Sequence, residues 1–338
     1  MFDKRIDRAR ATLWGLAIGD ALGMPTQMLS HDEVMSEFGA LNGFRPAALD
    51  HPIAAGMRAG AVTDDTEQAV LLAQQLISGA GHVDAITFAH ALISWEDAMR
   101  ERGSLDLLGP STKSALAAVI LGTPVQEAGR FGATNGAAMR IAPVGIAVDL
   151  HSLTALVDRV VEASFVTHNT GVAIAGACAI AAAVSAGIDG ADVTHATGLA
   201  VDAARVGENR GHWVAAASVS HRMELATSLA DPNSPDDSLR RIRELIGTSL
   251  ATQESVPAAF GILAVFPNDP WSACTAAATQ GGDSDTIAAM VGAIAGACHG
   301  MSGFPRDALD TIAFVNGDLA LALDDLADQL LALRCGRS

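Results

Sequence analysis

At 338 residues the chain is long for one domain, but the buried fraction rises with chain size, so a single helical domain over residues 1–338 is the expected organisation. Its 38 acidic side chains against 21 basic ones give a formal charge of −17, which repels a phosphate backbone and argues against nucleic acid as a partner. Half of the residues are hydrophobic, but many are Ala, Gly adds 33 positions and Tyr is absent, so the predicted core is one of closely approaching thin helices rather than aromatic layers.

The chain begins MFDKRIDRAR, mixing acidic and basic residues before Leu13, unlike the basic-then-apolar order of a secretory signal. Cys178, Cys274, Cys298 and Cys335 form no CxxC pair, which fits a reducing compartment, and the expected localisation is cytoplasmic. Ile6, Ala9, Leu13 and Leu16 recur at helical spacing, as do Phe88, Leu92, Trp95 and Met99. Between them, Pro46, Pro52, Gly56 and Gly60 predict a surface loop from Leu41 to Val62. Helix-like runs follow the breaks at Gly109-Pro110, Gly122-Thr123-Pro124 and Asp231 to Pro235, and a further break lies at Phe266 to Pro270. Gly171 to Ile188 is uncharged and approaches the length of a membrane span. It holds only five large aliphatics, so a buried core helix is predicted and a membrane partner is not. Strand-like alternation is scarce, and the predicted class is all-α.

Two acidic motifs each open an apolar helix. In Thr63-Asp64-Asp65-Thr66-Glu67, Asp64 with Glu67 reads as a capping box over the first turn. Adjacent carboxylates and hydroxyls nonetheless exceed what one cap needs, and they repel unless a cation is present. In Gly281-Gly282-Asp283-Ser284-Asp285-Thr286 the Gly pair admits close backbone approach, while Asp283, Asp285 and Thr286 offer hard oxygen ligands suited to Mg²⁺, Mn²⁺ or Ca²⁺. The pair suggests one bipartite site. Between them, the small residues around Thr134, Asn135 and Gly136 offer backbone amides to a phosphate or sugar oxygen, with an ordinary turn as the alternative. Arg140 reads as a salt-bridge partner in preference to a phosphate ligand, and His168 as either a helix-end polar residue or a substrate contact.

In order and wording these segments resemble the ADP-ribosylglycohydrolase family, which includes the dinitrogenase-reductase-activating glycohydrolases. The resemblance runs from Gly15-Leu16-Ala17-Ile18-Gly19-Asp20-Ala21-Leu22-Gly23 through Thr63-Asp64-Asp65-Thr66, Gly109-Pro110-Ser111-Thr112, Thr134 to Arg140 and Thr167-His168 to Gly282-Asp283-Ser284-Asp285-Thr286. It covers about residues 8 to 300. It implies a compact orthogonal multi-helix bundle and two Mg²⁺ or Mn²⁺ ions held by Thr63, Asp64, Asp65, Asp283, Asp285 and Thr286. It also implies a hydrolase cleaving at the anomeric carbon of a small-molecule or protein-linked ADP-ribosyl or ribosyl conjugate. Asp65 or Asp285 is the expected proton acceptor, with Gln27, Thr134, Asn135, Gly136 and His168 at the substrate. Many relatives carry Glu where this chain has Gln27, and an amide supplies neither charge nor a general base. That difference keeps two alternatives in view, an N-riboside hydrolase and a catalytically weak ADP-ribose-binding module.

Overall fold

The computed structural model describes residues 2–105 and 108–335. The chain opens with α1 (Phe2–Gly23) and α2 (His31–Glu37), crosses a long coil, and continues as α3 (Asp64–Ser78) and α4 (Ala85–Glu101). Five helices lead to the middle of the chain: α5 (Pro110–Ile120), α6 (Val125–Ala128), α7 (Gly136–Arg140), α8 (Ala142–Ala147) and α9 (Leu153–His168). Then come α10 (Gly171–Ile188), α11 (Val193–Gly207), α12 (Val219–Ser228), α13 (Pro235–Leu245) and α14 (Thr252–Val265). The last are α15 (Pro270–Thr279), α16 (Ser284–His299) and α17 (Arg306–Cys335), the last of these kinked at Gly317. Among the described residues there is no β-strand, only two isolated bridges, so the fold is all-α.

Each Gly/Pro break predicted from sequence leads into a helix, including the one at Phe266 to Pro270: Pro110, Pro235 and Pro270 are first helical residues, where Pro loses no hydrogen bond and presets φ, and Pro124 is the N-cap of α6. α10 is long and apolar enough to cross a membrane by length and composition alone, yet 94% of it is buried inside the protein. Its Ala-rich surface lets α11, α8, α9 and α16 pack around it. One contiguous buried cluster runs from Ala9 to Leu331. The coil from Leu41 to Val62 has no helix, as its Pro and Gly positions predict, and it lays Ala47 and Ala54 against Met24 as a small second core.

The contact that positions the site is α1 against α16. Gly15, Gly19 and Gly23 recur every four residues on one face of α1, and the backbone of α16 lies directly on that face. A Cβ on Gly19 would stand 1.9 Å from the carbonyl oxygen of Ala288, and one on Gly23 would stand 2.4 Å from Cα of Asp285. No side chain fits between the two helices at these levels. The chain's first helix is thereby held in backbone contact with the helix that follows its second acidic motif. Gly19→Val is expected to cost about 3 kcal/mol or more, the upper end of overpacking penalties, and to lower the urea midpoint with little change in slope. An unchanged midpoint would show that the two helices can part freely.

Candidate active site

Asp20 follows Gly19 on α1 and is completely buried. Its carboxylate accepts from the backbone amide of Thr63 (3.0 and 3.1 Å), the Thr63 hydroxyl (2.8 Å), the backbone amide of Thr66 (3.1 Å) and the Thr66 hydroxyl. Burial pushes this carboxyl up to about 6, against the hydrogen bonds that favour its charged form. The expected box of Asp64 with Glu67 does not form. Thr63 is the N-cap, Asp64 is the first helical residue, and Glu67 turns away to accept from Trp95 Nε1 at 2.5 Å. The physical reason is that a carboxylate from another helix already satisfies amides at the N-cap and third positions, so α3 needs no box of its own. Asp64 and Asp65 are thus released from capping.

Asp283 is likewise the N-cap of α16 and makes no side-chain capping bond. Gly281 and Gly282 precede it with φ of +73° and +71°, and Gly282 packs on the carbonyl of Thr248, where a Cβ would come within 2.4 Å. This turn aims the Asp283 carboxylate at Asn135, whose Nδ2 donates both to it and to Ser255 Oγ (2.9 Å). The two acidic motifs touch through Thr286, whose hydroxyl donates to Asp65 Oδ2 at 3.2 Å across 221 residues of sequence. The other oxygen of Asp65, Oδ1, is buried and accepts no hydrogen bond from the described residues. Burial first, then the charges of Asp285, Asp64, Asp20 and Asp283, hold the Asp65 carboxyl well above the usual carboxylate range.

A cavity of about 240 Å³ lies over this cluster. Asp64, Asp283, Asp285 and Thr286 form one wall, and Thr134, Asn135 and Gly136 another. Gln27, in the turn after α1, reaches the same cavity; its backbone carbonyl accepts from His51 Nε2 (2.9 Å), and its buried Nε2 has no hydrogen-bond partner among the described residues. Asp65 and Thr63 stand behind the wall: the first supports Thr286, and the second gives its proton to Asp20. Among the described residues no three His, Cys, Asp or Glu side chains are drawn together tightly enough to form a closed metal cage. The oxygens present are hard carboxylate and hydroxyl donors, and Asp65 Oδ1 is orphaned among like charges, a combination that suits a hard divalent cation.

Two expectations are corrected here. Arg140 is fully buried and pairs with no carboxylate among the described residues; it donates to Gln68 Oε1 (2.8 Å) and Thr167 Oγ1 (2.6 Å) and lies over the Phe88 ring at 5.3 Å. Burial lowers its pKa to about 10. A guanidinium offers five donors in a plane, and neutral acceptors on two helices take its two terminal nitrogens without a buried ion pair, while its buried Nε has no partner among the described residues. His168 does not line the cavity. It is fully buried, with Nδ1 against Thr167 Oγ1 (2.8 Å) and Nε2 against Thr134 Oγ1 (3.0 Å), and burial beside Arg140 pushes its pKa well below the usual value. Gly136 packs on this ring, where a Cβ would meet Cε1 at 2.9 Å.

The sequence profile of the ADP-ribosylglycohydrolase family matches residues 1–338. The chain belongs to that family. It is 33% identical over 300 residues to the uncharacterized protein YegU of Escherichia coli K12, covering 88% of this chain and 89% of that one. It is 30% identical to the ADP-ribosylarginine hydrolase Tri1 of Pseudomonas putida GB-1, covering 99% of this chain and 83% of the relative. The solved structure of an ADP-ribosylglycohydrolase-related protein complex superposes with a TM-score of 0.70 at 25% identity, covering 98% of this chain and 99% of that one. The protein is therefore a glycosidic hydrolase of the ADP-ribosylglycohydrolase type.

Within this ADP-ribosylglycohydrolase, Asp20 and Gln68 are the site residues that reasoning from sequence did not single out. A signal for Asp20 was present: a lone carboxylate in the apolar run Gly15 to Gly23 must be buried, and a buried carboxylate needs donors from elsewhere. Asp20→Asn keeps the shape but loses a charged acceptor shared by four donors. It is expected to destabilise the protein by about 1.5–3 kcal/mol in urea unfolding, the range for hydrogen bonds to a charged group. A stability equal to the parent's would mean that α3 is capped without Asp20.

Proposed function

We propose that the protein hydrolyses the C1 glycosidic bond of an ADP-ribosyl conjugate, with ADP-ribosylarginine as the first substrate to test, and that two divalent cations, Mg²⁺ or Mn²⁺, serve the reaction. The observation that carries this reading is Asp65 Oδ1, a buried acceptor with no donor, set beside four other carboxylates. Leaving such an atom unsatisfied is costly, and a hard cation is the partner that its charge and surroundings suit. Asp64, Asp65, Asp283, Asp285, Thr63 and Thr286 are the residues that would hold the ions. Bound there, divalent cations supply a positive field that orients sugar hydroxyls and favours the hydroxide form of a nearby water.

The chain's own groups divide the remaining work. Asp285 lines the cavity whereas Asp65 lies behind Thr286, which supports Asp285 over Asp65 as the carboxylate that takes a proton from the attacking water. Asn135 holds the Asp283 carboxylate toward the cavity. At about 240 Å³ the cavity is smaller than the ~300–1,000 Å³ that encloses a whole drug-sized ligand. It fits the ribosyl end and leaves the rest of the conjugate along the rim formed by Leu105, Leu108 and Pro110. The unpartnered Gln27 Nε2 supplies a neutral donor to a sugar oxygen there. Because Gln27 adds no charge, an N-riboside with a smaller leaving group is the second substrate class to test.

Asp65→Asn is expected to lower the divalent-metal stoichiometry measured by elemental analysis. Asp285→Asn is expected to cut turnover of ADP-ribosylarginine by about 10²–10⁴-fold, the usual worth of a general base. Metal content and rate that both match the parent in the two variants would remove this reading. Gln27→Ala, which deletes the unpartnered donor, is expected to raise KM about three- to tenfold with kcat changed less, as loss of a neutral hydrogen bond would. If its kinetics on both substrate classes equal the parent's, Gln27 does not touch the substrate.

A further inference from the structure

A continuous line of hydrogen bonds runs through the interior from one wall of the cavity to the other. Gln68 Nε2 donates to Asp64 Oδ2 (2.7 Å), Arg140 donates to Gln68 Oε1 (2.8 Å) and to Thr167 Oγ1 (2.6 Å), and Thr167 Oγ1 meets His168 Nδ1 (2.8 Å). His168 Nε2 then meets Thr134 Oγ1 (3.0 Å). Gln68, Arg140, Thr167 and His168 are all fully buried, while Asp64 and Thr134 line the cavity.

The direction of each proton follows from Arg140, because a guanidinium only donates. Gln68 must turn its oxygen to Arg140, which leaves its amide for Asp64. Thr167 must accept from Arg140, which leaves one hydroxyl proton to place. His168 Nδ1 lies 2.8 Å away and the Ser164 carbonyl 3.5 Å away, so the proton goes to the ring. With Nδ1 accepting, the ring carries its proton on Nε2 and donates to Thr134 Oγ1. Among the described residues Thr134 Oγ1 has no other hydrogen bond, so its own proton is left for the cavity. Burial beside Arg140, which keeps His168 neutral, agrees with this assignment.

We infer that Arg140 sets the polarity of this relay, so that Thr134 meets the substrate as a hydrogen-bond donor and selects a substrate oxygen that accepts, such as a phosphoryl, ring or carbonyl oxygen. Thr134 is the contact, and Gln68, Arg140, Thr167 and His168 are positioning residues. The inference rests on the proposed function only for the choice of ADP-ribose as probe.

The first test needs no ligand: ¹⁵N NMR of the full chain should show His168 protonated on Nε2, and a ring protonated on Nδ1 alone overturns the inference. The second is a double-mutant cycle on ADP-ribose affinity. Thr134→Val should weaken binding about five- to tenfold and Thr134→Ser should restore it. Thr167→Val should weaken binding on its own, yet add nothing in the Thr134→Val background, because both act through one hydroxyl. Additive losses overturn the relay. If the parent does not bind ADP-ribose, the proposed function fails, while the His168 tautomer still decides the polarity. The same tautomer measurement stands if Thr167→Val does not fold.

Discussion

The backbone contact between α1 and α16 is the constraint on which the rest of the molecule depends. Gly15, Gly19 and Gly23 let the two helices meet with no side chain between them. At that separation Asp20 on α1 and Asp285 on α16 share one buried volume, although they are 265 positions apart in sequence. A pair of ordinary aliphatic helices packs at about 8–10 Å, with a layer of side chains filling the gap. Such a layer here would push the first turn of α16 away from Asp20 and from the start of α3.

Because the helices are this close, Asp20 can do for α3 what a capping residue normally does for its own helix. It takes up the amides of Thr63 and Thr66, and the carboxylates of Asp64 and Asp65 turn elsewhere. At α16 the amide of Asn135 takes the Asp283 carboxylate, which makes no capping bond of its own. In both motifs the residue that looks like a helix cap is freed by a group from a distant element. The result is a concentration of negative charge at one point of the interior, held in place by the core around it. Desolvation raises the proton affinity of Asp20, Asp65 and Asp283, and at Asp65 the charges of Asp285, Asp64, Asp20 and Asp283 add to it.

The buried positive charge is arranged differently. Arg140 stands on α7 behind Gln68 and Thr167 and reaches the cavity only through neutral groups. A direct ion pair with Asp64 would cancel charge at the acidic cluster. Placing Gln68 between them keeps the Asp64 carboxylate hydrogen-bonded while leaving its charge in the site. The same guanidinium orients Thr167, and through it His168, so one buried cation organises two walls of the cavity.

The helical class, the breaks at Gly and Pro, the burial of α10 and the two acidic motifs were all legible in the residue order, because each depends on local spacing or on the chemistry of a short segment. The family resemblance was legible for the same reason, since its motifs are short and contiguous. What only the tertiary structure decided is which partner each polar group takes. Asp64 and Glu67 have the spacing of a capping box, but the Thr63 and Thr66 amides go to Asp20, whose approach depends on the glycines of α1, and the Asp65 amide goes to the Thr63 hydroxyl. Arg140 has the charge of a salt-bridge partner, yet it settles between Gln68 and Thr167. His168 has the chemistry of a substrate contact, and the ring instead packs behind Thr134 and Gly136. Local sequence determines what each side chain can donate or accept; the distance between helices remote in sequence determines to whom, and that distance follows from close packing of the whole core.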